Sequence, residues 1–256
     1  MGAATMVIAF EDLTILTDPA LGRSFAMGDP NDAADHETIR THRRLTPLIG
    51  VDLKTIDRVV LSHAHEDHFD QRAAADLDRS LPIVLPAADE KAVAAKGFEM
   101  LDAMEWGETR RLDAGAGRVR ITAVIARHSR DPATALGIGN GYWIEFSRGD
   151  WTRTMYWTGD TMPTADVVEA VKSLGRPDVM VPHVGGVGIT GPLGQISMGA
   201  DDVVALAAAV QPTCVLPVHH STYAFFREPI SELSEHSKGQ PYRLDLIGAG
   251  ETITYH

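Results

Sequence analysis

The sequence predicts an α/β (α+β) fold in which mixed sheets carry helices on their outer faces, and three observations predict it. Short apolar runs rich in β-branched residues alternate with Ala-rich stretches of helical character from one end to the other. No Ser/Gly-rich or Pro-rich linker divides the chain into blocks, and no fixed-period repeat marks a solenoid. Helices layered outside sheets are the packing solution for that order of elements. With 256 residues, one domain over 1–256 is expected, because α/β units of up to about 250 residues often share a single core.

Met6–Phe10 and Thr14–Thr17 read as a hairpin around Glu11-Asp12. Residues 23–45 are polar, carry Gly28, Pro30 and Asn31, and lack periodicity, so they read as a long loop and a candidate lid. The alternative for that stretch is a solvated excursion with a short helix near His36–Arg44. Arg58–Ser62 follows as a strand, Gln71–Leu77 as a helix, Ile83–Leu85 as a strand and Ala88–Lys96 as a helix. Val119–Ile125, Gly141–Phe146 and Thr154–Thr158 are strands by their β-branched and aromatic content. The second half gives a helix over Thr164–Leu174, a strand at Val179–Val181, a helix over Ala200–Ala209 and a strand at Cys214–Val218. Leu244–Ile247 and Thr252–Tyr255 close the series as strands.

Composition removes several functions. The 23 basic against 35 acidic residues give a formal charge of −12, which speaks against a phosphate-tracking surface and so against nucleic acid. The longest apolar stretches, Val203–Val210 and Cys214–Val218, are far short of the roughly 20 residues a spanning helix needs. A small-molecule substrate is the expected partner, and self-association is left open. The single cysteine, Cys214, sits in an apolar strand pattern with nothing nearby to activate a thiolate, and reads as buried packing. The absence of a basic start followed by an apolar run makes cytoplasm the expected compartment.

One constellation carries the chemistry: His63-Ala-His65-Glu-Asp67-His68, directly after a strand and before a helix. In extended chain, positions two apart project to the same side, so His63, His65 and Asp67 are expected to converge beyond the strand end, with His68 turned toward a neighbouring point. That suits two adjacent cations better than one. Further ligand types stand where other strands stop: His128 after Val119–Ile125, Asp160 after Thr154–Thr158, and His219-His220 after Cys214–Val218. Strand ends are where sites form in open α/β sheets, and imidazole with carboxylate suits zinc, manganese or iron.

These stretches resemble the metallo-β-lactamase superfamily. The matching segments are Leu16-Thr-Asp-Pro19, Val60 through Asp70, Trp106-Gly-Glu108, Val124 through His128, Trp157-Thr-Gly-Asp160 and Pro217-Val-His219. Asp70 and the Trp-Gly-Glu segment resemble the branch that contains ascorbate-6-phosphate lactonase and the N-acyl-phosphatidylethanolamine phospholipase D. The resemblance implies a four-layer αββα sandwich and a hydrolase using two divalent metal ions and a bridging hydroxide on a small ester, lactone or phosphodiester. It implies one metal on His63, His65 and His128, a second on Asp67, His68 and His219, and Asp160 bridging, with His220 the alternative to His219. It also implies Asp18 as a carboxylate that orients a ligand histidine. The branch usually opens on a strand ending in Gly-His-Ala, whereas this chain starts Met1-Gly-Ala-Ala4, so a shortened first strand with Ala3 in place of that histidine is expected.

Asp67 is the expected carboxylate to orient the attacking hydroxide, while His183, His220 and Tyr223 are the candidates to assist the leaving atom. His183 stands where relatives tend to have an apolar residue and reads either as a pocket-facing residue or as a buried hydrogen-bonded one. Arg23, Arg40, Arg43, Arg44, Arg127 and Arg130 fall near the predicted pocket loops, so the substrate is anionic if they bind it, and otherwise they pair with the surplus carboxylates. Two other functions compete with the hydrolase: a mononuclear-iron oxidoreductase of the same fold and a catalytically silent metal-binding relative.

Overall fold

Glu11 takes a left-handed backbone (φ 52°) between two apolar runs, so the chain reverses within two residues and β1 (Met6–Phe10) pairs antiparallel with β2 (Leu13–Thr17). The computed structural model describes residues 2–131, 133–134 and 136–256; Met1 of the opening segment lies outside them. Strands β3 (Ser24–Met27) and β4 (Arg40–Arg43) then pair antiparallel with each other. The stretch expected as loop thus contains a two-stranded sheet, and the alternative helix near His36–Arg44 gives way to β4. Phe25 explains the difference: its ring is buried against Tyr223 and Phe225, which fixes β3 as an extended edge over that cluster.

After β5 (Arg58–Val60) come α1 (Gln71–Asp76), β6 (Ile83–Pro86), α2 (Glu90–Ala94), β7 (Leu101–Met104), β8 (Thr109–Ala114), β9 (Gly117–Ile125), β10 (Asn140–Arg148) and β11 (Trp151–Trp157). The chain continues through α3 (Ala165–Leu174), β12 (Val179–Val181), α4 (Ala200–Val210), β13 (Cys214–Val215), α5 (Ile230–His236) and β14 (Arg243–Leu244). The sequence reading lacked β7, β8 and α5. It also placed a strand at Thr252–Tyr255, where none forms, although Ile253 and Tyr255 pack against the central core.

Besides the β3-β4 pair, two larger sheets result, one of order β1-β2-β5-β6-β7 and one of order β14-β13-β12-β11-β10-β9-β8. Between them lies a core drawn from both, with Ile8, Ile15, Val60 and Val84 from the first and Ile121, Tyr142, Ile144 and Trp157 from the second. The alternation along β10 assigns the faces: Tyr142 is registered with Ala123 and Trp157 toward the partner sheet, while the adjacent Trp143, registered with Thr122 and Tyr156, packs outward. That outer face is covered by Val171 of α3, Val203 and Leu206 of α4 and Leu233 of α5. On the other sheet, Ala73 of α1 and Val93 of α2 cover Leu16, Val59 and Ile83. Helix, sheet, sheet, helix is the αββα order expected from the sequence. Cys214 is buried in that central core, as its apolar context predicts.

The topology also places the chemistry. β2, β5 and β6 run parallel, as do β11, β12 and β13, and β9 runs antiparallel to the intervening β10 and hence in the direction of β11. The segments carrying Asp18, His63, His128, Asp160, His183 and His219 therefore all leave their strands at C-terminal ends.

Candidate metal centre

β5 ends at Val60, and Leu61-Ser62 carry the chain out of the sheet to His63. A turn follows in which the amides of His68 and Phe69 both donate to the carbonyl of His65, at 2.9 and 2.8 Å. This turn divides the motif. His63 and His65 stay with His128, their ligand atoms within 4.8 Å of one another, while Asp67 and His68 swing round to form a second such group with His219. The extended-chain expectation that Asp67 joins His63 and His65 fails because the backbone folds back at His65. Two carboxylates brace the turn: Asp89 accepts the Ala64 amide at 2.9 Å, and Asp70 caps α1 by accepting the Ala73 amide at 2.7 Å and ties in Gly22 at 2.6 Å.

Asp160 stands between the two groups. Its Oδ2 lies 3.5 Å from His128 Nε2 and 3.7 Å from His219 Nε2, and its Oδ1 lies 3.5 Å from His68 Nε2. Gly159 delivers it there with a left-handed backbone (φ 61°), and a Cβ at that position would stand 2.6 Å from the Asn140 carbonyl oxygen.

Partners behind the clustered histidines set which nitrogen faces inward. His128 Nδ1 donates to the Ile196 carbonyl at 2.7 Å and His219 Nδ1 to that of Val184 at 2.8 Å, so in both rings Nε2 is the nitrogen that faces inward. Asp18 serves two rings at once. It lies 3.0 Å from His68 Nδ1 and accepts the Ser62 hydroxyl at 2.7 Å, and that hydroxyl is 3.0 Å from His63 Nδ1. The Ser62 amide adds a 2.6 Å bond to the other oxygen of Asp18. Sequence reasoning named Asp18 but missed Ser62 and Asp89; Ser62 had only its adjacency to His63 as a signal, and Asp89 had none.

Burial opposes ionisation of Asp67 and Asp160, but nearby imidazoles outweigh it, His68 and His219 for both, and hold the two carboxyls well below the usual carboxylate range. In turn Asp160 and Asp67 raise His68 against its burial, whereas burial takes His63 well below its ordinary value and His65 down to about 4. The cluster is thus a set of carboxylates and imidazole nitrogens facing one another. His63 Nε2 and His65 Nδ1 are 2.9 Å apart, and His68 Nε2 and His219 Nε2 are 3.2 Å apart. Among the described residues, His128 Nε2 and Asp160 Oδ1 are buried with no hydrogen-bond partner. Buried polar atoms left unpaired are costly, and a donor set of five imidazoles and two carboxylates fits divalent cations such as zinc, manganese or iron.

Residues 14–220 match the family model described as a beta-lactamase superfamily domain. The chain belongs to the β-lactamase superfamily. It is 28% identical over 255 residues to the UPF0173 metal-dependent hydrolase of Salinibacter ruber, covering 98% of this chain and 96% of that protein. With the UPF0173 protein YddR of Bacillus subtilis it shares 24% identity over 261 residues, 98% of this chain and 97% of the other. Among solved structures, a possible metal-dependent hydrolase from Veillonella parvula aligns with a TM-score of 0.80 at 22% identity, covering 99% of this chain and 97% of that one. An isothiocyanate hydrolase from Delia radicum gut bacteria aligns with a TM-score of 0.79 at 21% identity, with the same coverage of 99% and 97%. At such identities the structural likeness is one of fold.

In this β-lactamase-superfamily site the remaining candidates take other places. His220, the alternative to His219, turns away from the ligand groups: its Nδ1 lies 2.9 Å from the Ser221 hydroxyl, and burial pushes its pKa down to about 4. His183 is fully buried rather than pocket-facing, its Nε2 3.3 Å from Asp18 and its ring edge-on to Trp157. Tyr223 is buried among Phe25, Phe225 and Phe226, and its hydroxyl lies 3.4 Å from Arg44. Three of the six arginines pair with the chain's own carboxylates: Arg40 with Asp32, Arg127 with Asp166 and Arg130 with Asp202. Arg44 instead donates to the carbonyls of Ala20 and Gly22. Beside His128 opens a cleft of about 340 Å³ lined by Trp106, Arg127, Ser129, Leu136 and Ile138 among others.

Proposed function

We propose that this chain is a metal-dependent hydrolase that holds two divalent cations, zinc or manganese by preference. His63, His65 and His128 surround one, Asp67, His68 and His219 the other, and Asp160 lies between. The observation that carries this reading is the Asp160 carboxylate, within 3.7 Å of nitrogens from both groups. Bound there, two divalent cations lower the pKa of water toward neutrality and polarise the oxygen of an ester, lactone or phosphodiester.

The side chains of the protein supply the rest. Asp67, kept ionised by His68 and His219, accepts a hydrogen of the attacking water and sets its direction. His128 lines the 340 Å³ cleft, so a small substrate seated over Trp106, Leu136 and Ile138 meets the cluster from that side. Segment 23–45 is proposed as a lid: Asn31 accepts the Gly188 amide at 2.9 Å and donates to the Phe225 carbonyl at 2.9 Å, joining this segment to the loops after β12 and β13. The shared core between the two sheets supports 1–256 acting as one unit.

The test is metal content per chain by plasma mass spectrometry on protein purified without chelators, followed by hydrolysis assays on small esters, lactones and phosphodiesters. About two equivalents of zinc or manganese, with hydrolysis lost on chelation and restored by the same metal, is the expected result. One equivalent of iron, or no uptake on reconstitution, overturns the proposal.

A further inference from the structure

Asp18 is fully buried, and three groups face its carboxylate: the Ser62 hydroxyl at 2.7 Å, His68 Nδ1 at 3.0 Å and His183 Nε2 at 3.3 Å, all at Oδ2. The first two lead directly to His63 and His68. His183 leads to no ligand, and its place is fixed independently: its amide donates to Thr158 Oγ1 at 3.0 Å, its Nδ1 lies 3.2 Å from the same oxygen, and it forms an isolated bridge with Val218. Thr158 Oγ1 is also 2.8 Å from the Gly159 carbonyl, at the turn that presents Asp160. The ring of His183 is thus tied through Nδ1 to the Thr158 hydroxyl, while its other nitrogen, buried with no aligned hydrogen bond, lies 3.3 Å from one oxygen of Asp18.

We propose that His183 is a positioning residue for the cation group of Asp67, His68 and His219. It holds Asp18 Oδ2 in line with His68 Nδ1, which aims His68 Nε2 at Asp67, Asp160 and His219. The inference rests on the two-cation reading above. A polar neighbour is needed because a buried carboxylate facing an apolar side chain loses that 3.3 Å electrostatic contact and rotates toward the partners that remain. Loss of such an outer contact typically weakens metal affinity about 10- to 100-fold.

The experiment compares wild type, His183→Leu and His183→Gln after chelator stripping. Zinc affinities are measured by competition with a chromophoric chelator, cobalt(II) spectra report coordination, and melting temperatures are taken on the metal-free proteins. His183→Leu is expected to weaken one of two zinc affinities at least about 10-fold and change the cobalt spectrum. His183→Gln, which can still donate from its amide, is expected to recover most of that affinity. The proposal is overturned by two unchanged affinities in His183→Leu, or by equal weakening of both in the Leu and Gln variants with a matching fall in melting temperature. It is also overturned if wild type takes three zinc ions and His183→Leu two, since His183 would then be a ligand with Asp18 and His68. Wild type that takes up no cation rejects the two-cation reading itself, and the inference with it.

Discussion

Asp18 Oδ2 lies 3.0 Å from Nδ1 of His68, a residue 50 positions away. β2 and β5 make this contact, because their parallel pairing registers Thr17 with Val60 and brings both strand ends to one edge. Asp18→Asn keeps the shape but puts a weaker neutral acceptor or an amide donor against that ring. We expect it to reduce zinc affinity about 10- to 100-fold while the folded state persists. Chelator competition and circular dichroism check this, and unchanged affinity would remove Asp18 from the site's architecture.

Asp67 and Asp160 occupy different places in the same cluster, and their alanine variants are expected to differ in a readable way. Asp160→Ala removes the carboxylate between the groups, so both cation content and turnover should fall. Asp67→Ala should cost turnover by about 100-fold or more, because the group that orients the attacking water is gone. Metal analysis alongside kinetics decides; near-normal turnover with full metal in either variant contradicts the assignment.

His219 and His220 are adjacent in sequence, but His219 joins Asp67 and His68 while His220 contacts the Ser221 hydroxyl. His219 takes a left-handed backbone (φ 63°) that points its Nε2 at Asp67, 3.1 Å away. His219→Ala is therefore expected to lose about one equivalent of metal, whereas His220→Ala should keep its metal and its turnover within about threefold. Parallel metal analysis of the two proteins distinguishes them, and the reverse pattern would exchange their roles.

Gly159 joins β11 to Asp160 with positive φ and no room for a side chain. Gly159→Ala should destabilise by about 1–3 kcal/mol from backbone strain alone, and more from contact with the Asn140 carbonyl. Gly149, also at positive φ but with open space around it, provides the control, and Gly149→Ala should cost no more than about 1–2 kcal/mol. Urea denaturation of both variants measures the difference; equal losses would show that crowding at Gly159 is unimportant.

Much of the fold was readable because its elements declare themselves locally. β1, β2, β9 to β12, α3 and α4 follow from apolar period and β-branched content. The missing elements have tertiary causes. β8 alternates exposed and half-buried residues along Thr109–Ala114 and is held by its pairing with β9, and α5 buries only Leu233. β4, with His42 its only half-buried residue, is a strand because β3 lies beside it.

Sequence alone supplied the candidate ligand types and their location at strand ends, because a histidine-rich turn after a β-strand is a local feature that chain spacing preserves. It also raised the choice between His219 and His220 without resolving it. Only the tertiary structure divided the motif at His65, put Asp160 between the halves, turned His219 inward and buried His183 behind Asp18. Each of those outcomes depends on where separate strands end relative to one another and on single backbone angles, and such distances are set by sheet packing rather than by neighbouring residues.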